Sequence, residues 1–152
     1  MSGLSDLLID VNDETDLDTV LSIIFEAYLP IKDALIENDL ENAKKATKSF
    51  KMIANQQIKT SANQNINLNT DAVDQITESN DLESVRTAFS KLSDQLFHTL
   101  KKYQVEVDGY RQFCPMAFDN KGGFWLSDSD KILNPYFGDA MLTCGEVVEQ
   151  LN

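Results

Sequence analysis

The chain has 152 residues, 42% of them hydrophobic and 25% charged, with a formal net charge of −12 at pH 7. That length suits one domain with a sizeable core. So acidic a chain is repelled by nucleic acid and by anionic membrane surfaces, and it holds no run of about 18 apolar residues that would span a bilayer.

The N-terminus, MSGLSDLLIDVNDE, lacks a basic n-region and a sufficient apolar stretch, so it does not read as a signal peptide. On that reading the chain is either cytoplasmic or a mature or truncated form. Residues 17–37, LDTVLSIIFEAYLPIKDALIE, place apolar side chains at Leu17, Val20, Leu21, Ile24, Tyr28, Ile31 and Leu35. This is the spacing of an amphipathic helix. Asp13 or Thr15 would cap it. Pro30 should kink or divide it, because proline removes a backbone donor and crowds the preceding turn. Residues 38–57 predict a second helix, with Leu40, Ala43, Ala46, Phe50 and Ile53 on one face. The polar, Asn-rich tract 58–71 reads as a loop, followed by a short helix from Thr70 to about Glu78. Residues 81–103 are the clearest helix, with Leu82, Val85, Phe89, Leu92, Leu96, Leu100 and Tyr103 keeping the helical period. Two antiparallel pairs of such helices make an up-and-down bundle that buries every stripe.

After Tyr103 the character changes. QVEVDGYRQF (104–113) alternates and carries an Asp108-Gly109 turn signal. GGFWL (122–126) predicts a short strand, joined to 110–114 through AFDNKG as a hairpin. Ser127 and Asp130 resemble a capping box, and Asn134-Pro135 marks another turn. DAMLTCGEVVEQLN (139–152) reads as a short terminal helix, interrupted near Gly145. The expectation is a mainly α single domain over 1–152. Residues 1–103 form a bundle of about four helices, and 104–152 a small turn-rich unit packed on it.

That unit gathers the chemistry. Residues 113–145 hold both cysteines, the only tryptophan and four of the six glycines. Cys114 and Met116 are two apart, which in an extended stretch puts both sulfurs on one face. Met141 and Cys144 are three apart, a spacing that shares a face on a helix. Brought together, the pairs would form a pocket of two thiolates and two thioethers, a donor set that favours Cu(I) over Mg²⁺ or Ca²⁺. The plainer reading is methionines as core filler and the cysteines as buried thiols or a disulfide. Neither cysteine has a second one nearby, so the spacing is no zinc pattern. His98, the only histidine, lies about 140° from the centre of the apolar stripe on its helix at 100° per residue. It faces outward with Lys91, Asp94, Gln95 and Lys102, and becomes a ligand only if the C-terminal unit folds across that side. No P-loop, dinucleotide fingerprint or HExxH supports an enzyme. Without a CxxC motif, a thiol redox protein cycling the two cysteines is the weakest of the readings.

Four ordered motifs, CPMA (114–117), GFWLS (123–127), NPYFG (134–138) and MLTCG (141–145), together with the helical stretch 26–46, resemble the bacterial domain of unknown function 3347. The resemblance implies an exported, periplasmic domain, found alone or attached to periplasmic adaptor subunits of heavy-metal efflux systems. Similar proteins are described as copper- or heavy-metal-binding. Carried onto this sequence, the candidate ligands for Cu(I) or Ag(I) are Cys114, Met116, Met141 and Cys144, with His98 outside the motifs. An efflux component or metallochaperone would be the protein partner. The same resemblance casts Trp125, Tyr136 and Phe137 as packing anchors and Asn134-Pro135 as a fixed turn. Gly138 and Gly145 would be positions where a side chain clashes. The rival expectation is a non-metal interaction module of the bacterial envelope, stapled by a Cys114–Cys144 disulfide.

Overall fold

The computed structural model describes residues 16–61, 66, 68 and 70–152. The expected caps Asp13 and Thr15, the N-terminal leader reading and residues 62–65, 67 and 69 of the expected 58–71 loop lie outside them, while residues 58–60 of that tract are helical instead of loop. Helix α1 spans Asp16–Ile36, α2 Leu40–Thr60, α3 Thr70–Glu78 and α4 Leu82–Lys102. Each packs on the next and α4 closes back on α1, giving the expected four-helix bundle. Pro30 does not divide α1, which runs through it to Ile36. Proline there stands exposed, on the side away from the core.

The helix ends follow from local chemistry. Asp39 caps α2 by accepting the Asn42 N–H at 3.0 Å, and Asp81 caps α4 by accepting that of Ser84 at 2.7 Å. Helix α1 ends in a Schellman motif, with Asn38 left-handed at φ 57°. The Asp39 N–H donates to Ala34 O and that of Asn38 to Leu35 O. Helix α4 ends the same way on Gln104, φ 55°, with Val105 donating to Leu100 O and Gln104 to Lys101 O.

The bundle core takes Leu21, Ile24, Phe25, Tyr28, Ile31 and Leu35 from α1, Phe50 from α2, Ile76 from α3, and Phe89, Leu92 and Leu96 from α4. Two of its buried polar side chains, Tyr28 and Lys32, link elements. Ser93 donates to Phe89 O at 2.8 Å, so the Tyr28 hydroxyl donates to Ser93 Oγ at 2.6 Å and accepts the Leu126 N–H at 3.0 Å. That chain joins α1, α4 and the sheet. Lys32, only 5% exposed, reaches from α1 to Ser127 Oγ at 3.3 Å and forms ion pairs with Asp33 and Asp128.

Beyond the bundle, β1 (Tyr110–Cys114), β2 (Gly123–Ser127) and β3 (Glu146–Gln150) form an antiparallel sheet in the order β2-β1-β3. The predicted hairpin is β1–β2, with Cys114 opposite Gly123 and Gln112 opposite Trp125. Its connection turns left-handed at Phe118, Asp119 and Asn120, φ 56° to 68°. Asp108-Gly109 leads into β1 instead of linking two strands, and the Leu151 N–H donates to Gly109 O at 2.9 Å.

Two expectations are corrected. The terminal helix is absent: Gly138–Met141 is a single 3-10 turn, and Glu146–Gln150 is a strand. Gly145 sits at φ +141°, which ends any helix, and the chain then pairs along the open edge of β1, with β-branched Val147 opposite Gln112 and the register shifting at Val148. Nor does a helix follow Ser127. Its hydroxyl accepts the Ser129 N–H at 3.1 Å and so makes a serine turn.

Candidate functional site

Strand β1 alternates, so Gln112 and Cys114 point to one face and Arg111 and Phe113 to the other. On the second face the Arg111 guanidinium is held between the Phe97 and Phe124 rings, 3.9 and 3.8 Å from their centroids. The first face is covered by the 128–145 segment. Gln112 Nε2 donates to Ser129 O at 2.9 Å and to Lys131 O at 3.2 Å, tying that segment down.

Asn134 fixes the far end of the cover. Fully buried, it accepts the Tyr136 N–H at 2.8 Å and donates to Cys144 O at 2.8 Å, while its own N–H donates to Leu142 O. Tyr136 donates its hydroxyl to Phe124 O and meets Trp125 edge-on at 5.7 Å. Gly145 then passes so close that a Cβ there would lie 2.9 Å from Phe113 O and 3.1 Å from Trp125 Cη2.

The outcome of this close approach is a thiol pair. Cys114 is wholly buried at the end of β1, Cys144 is partly exposed, and their Sγ atoms stand 3.3 Å apart. The gap exceeds the roughly 2.05 Å of a disulfide and is a sulfur hydrogen-bond distance. Both are free thiols. The hydrogen bond to Cys114, aided by burial, pushes the Cys144 thiol up from its ordinary pKa.

The methionines are placed less symmetrically. Met116 is 45% exposed, and its backbone is helical (φ −91°, ψ −8°), because the chain leaves the strand at Cys114-Pro115. The same-face argument for Cys114 and Met116 required extended backbone, and that condition is not met. Met141 is partly buried at the end of the 3-10 turn, and Cys144 N–H donates to its carbonyl at 3.1 Å, so the three-residue spacing is a real turn. His98 is exposed on α4 beside Phe97. Among the described residues no three His, Cys, Asp or Glu side chains cluster as a metal site, so His98 does not join the two thiols.

Trp125, Asn134, Pro135 and Tyr136 are buried as anchors, with Phe137 partly so. Gly138, φ +61°, abuts the Asn38 side chain, to which a Cβ would come within 2.1 Å. Two positioning residues escaped the sequence reading. Arg86 donates to Pro135 O at 2.8 Å, Leu35 O at 3.0 Å and Asn38 Oδ1 at 2.7 Å, linking the NPYFG loop to the bundle. The other is Gln112. No sequence signal marks either: Gln112 falls on the polar phase of the 104–113 alternation, and Arg86 stands beside the apolar stripe of α4.

Among the described residues, no helix is long and apolar enough to cross a membrane. Searches of curated proteins and of solved structures gave no match to the chain. The profile of the family described as Protein of unknown function (DUF3347) matches residues 24–108, more than half of the chain. That span covers most of α1 and all of α2, α3 and α4, and stops before Cys114, so all four sulfur candidates lie outside it. On the strength of its helical part, the chain belongs to this family of proteins of unknown function.

Proposed function

We propose that the chain is a non-enzymatic domain that carries a soft cation, Cu(I) or Ag(I), on Cys114 and Cys144. Met116 and Met141 are the candidate additional donors. The observation that supports this is the 3.3 Å approach of two thiol sulfurs, one of them open to solvent. Paired thiolates and thioethers suit soft monovalent ions. Metal–thiolate distances of about 2.3 Å put two sulfurs roughly 3.8–4.6 Å apart, so loading needs the pair to open by about half an ångström or more. Cys144, in a turn and partly exposed, is the sulfur with room to move. On this reading the protein works in the bacterial envelope, receiving its cargo from or passing it to an efflux component or metallochaperone.

The test is an anaerobic Cu(I) titration of fully reduced protein against a chromophoric chelator. One equivalent retained by wild type, and lost in the Cys114→Ser/Cys144→Ser double variant, is the expected result. Met116→Leu and Met141→Leu then rank the thioethers. Failure to compete with the chelator, in protein whose two thiols titrate as free, refutes the reading.

The same sulfur contact, with Cys114 fully buried, also supports a second reading: an envelope interaction module in which the two cysteines form a structural disulfide. Purified protein without titratable thiols, which ignores Cu(I), is its signature.

A further inference from the structure

The two thiols differ in access. Cys114 lies at 0% exposure beneath the 128–145 segment, whereas Cys144 sits on that segment and meets solvent. An external reagent therefore reaches Cys144 first, and the Cys114 sulfur stands 3.3 Å behind it. From this asymmetry we infer that Cys114 and Cys144 form a reversible disulfide by ordered exchange with a low-molecular-weight disulfide, Cys144 being the attacking and Cys114 the resolving sulfur.

The Cys144 thiolate attacks one sulfur of the incoming R–S–S–R. The old S–S bond breaks, and the first thiol leaves with a proton. Cys114 then attacks Cys144 Sγ in the mixed disulfide and expels the second thiol. Two cysteine thiols are oxidised and one external disulfide is reduced to two thiols.

Closure shortens the contact from 3.3 Å to about 2.05 Å. The backbone is already positioned: Asn134 holds Cys144 O, and Gly145 allows the approach to Phe113 O. The bond staples the cover segment to β1 across a sequence separation of 30 residues. Loop-closure entropy for a segment of that length raises the melting temperature by roughly 7–15 °C in a domain of this size. If the thiols carry an ion, which rests on the reading above, the same oxidation expels it.

The exchange itself needs no metal, so its test is run on reduced protein with EDTA throughout. Oxidised glutathione is added, and whole-protein mass and thermal unfolding are followed. Wild type should lose two hydrogens without accumulating an adduct, melt higher, and return to its starting state with dithiothreitol. Cys114→Ser, with Cys114→Ala as a second variant should serine disturb the buried site, should accumulate one glutathione on Cys144. Cys144→Ser should remain unmodified while folded, as judged by its helical circular dichroism. A stable glutathione adduct on wild type, or faster modification of Cys144→Ser than of Cys114→Ser, overturns the inference. Failure of the Cu(I) titration leaves it standing.

Discussion

Gly145→Ala tests how the fold brings the two cysteines together. The residue occupies φ +141°, where a side chain is strained, and its Cβ would come within 2.9 Å of Phe113 O and 3.1 Å of the buried Trp125 ring. Neither neighbour yields easily, since one is the backbone of the central strand and the other is the largest buried side chain. The backbone conformation costs about 1–2 kcal/mol and the overpacking about 1–3 kcal/mol, together near 3 kcal/mol. In a domain of this size that lowers the melting temperature by roughly 6–12 °C. Thermal unfolding by circular dichroism, under reducing conditions with wild type as reference, measures it. The strand must also shift to admit the methyl group, so glutathione-driven closure of Cys114–Cys144 should slow in the folded variant. A variant melting within about 2 °C of wild type, with unchanged closure, would refute the close-approach argument.

Tyr28→Phe removes the hydroxyl that accepts the Leu126 N–H and donates to Ser93, leaving a buried donor unpaired; the expected loss is about 1–3 kcal/mol by urea unfolding, with faster amide exchange at Leu126. Asn134→Ala deletes the side chain that holds Cys144 O and the Tyr136 N–H, so it should lower stability by about 2 kcal/mol and weaken the Cu(I) competition of the reduced protein. The Asp81 carboxyl is held below its ordinary pKa, chiefly by the Ser84 N–H and then by the Ser84 hydroxyl. A depressed folded value means that its contribution is complete above the ordinary aspartate range and is lost as pH falls through the lower folded value. The urea midpoint of wild type should therefore decline more steeply below about pH 4 than that of Asp81→Asn, and identical slopes would exclude the cap as the cause.

Much of the helical part is legible in the residues themselves. An amphipathic period of 3.6 over 17–37 and 81–103 marks α1 and α4, the apolar face of 38–57 marks α2, and Thr70–Glu78 has the bounds expected of it. These signals are local, because helix hydrogen bonds and caps connect residues three or four apart. The β1–β2 hairpin is readable for the same reason: its strands are separated by a short Gly-containing link.

The last strand is a different case. EVVEQ has no pattern that chooses strand over helix, and it becomes β3 because β1 offers an unpaired edge more than thirty residues away. The site divides in the same manner. Composition and spacing point to the four sulfurs, but whether any of them meet is decided by contacts remote in sequence: the Gln112 clamp, the Asn134 bonds and the passage of Gly145 over Phe113. Those contacts unite Cys114 with Cys144, while the turn at Pro115 sends Met116 into solvent and α4 keeps His98 on its outer face. Side chains thirty residues apart acquire a distance only when the chain between them packs, and that packing is a property of the assembled fold.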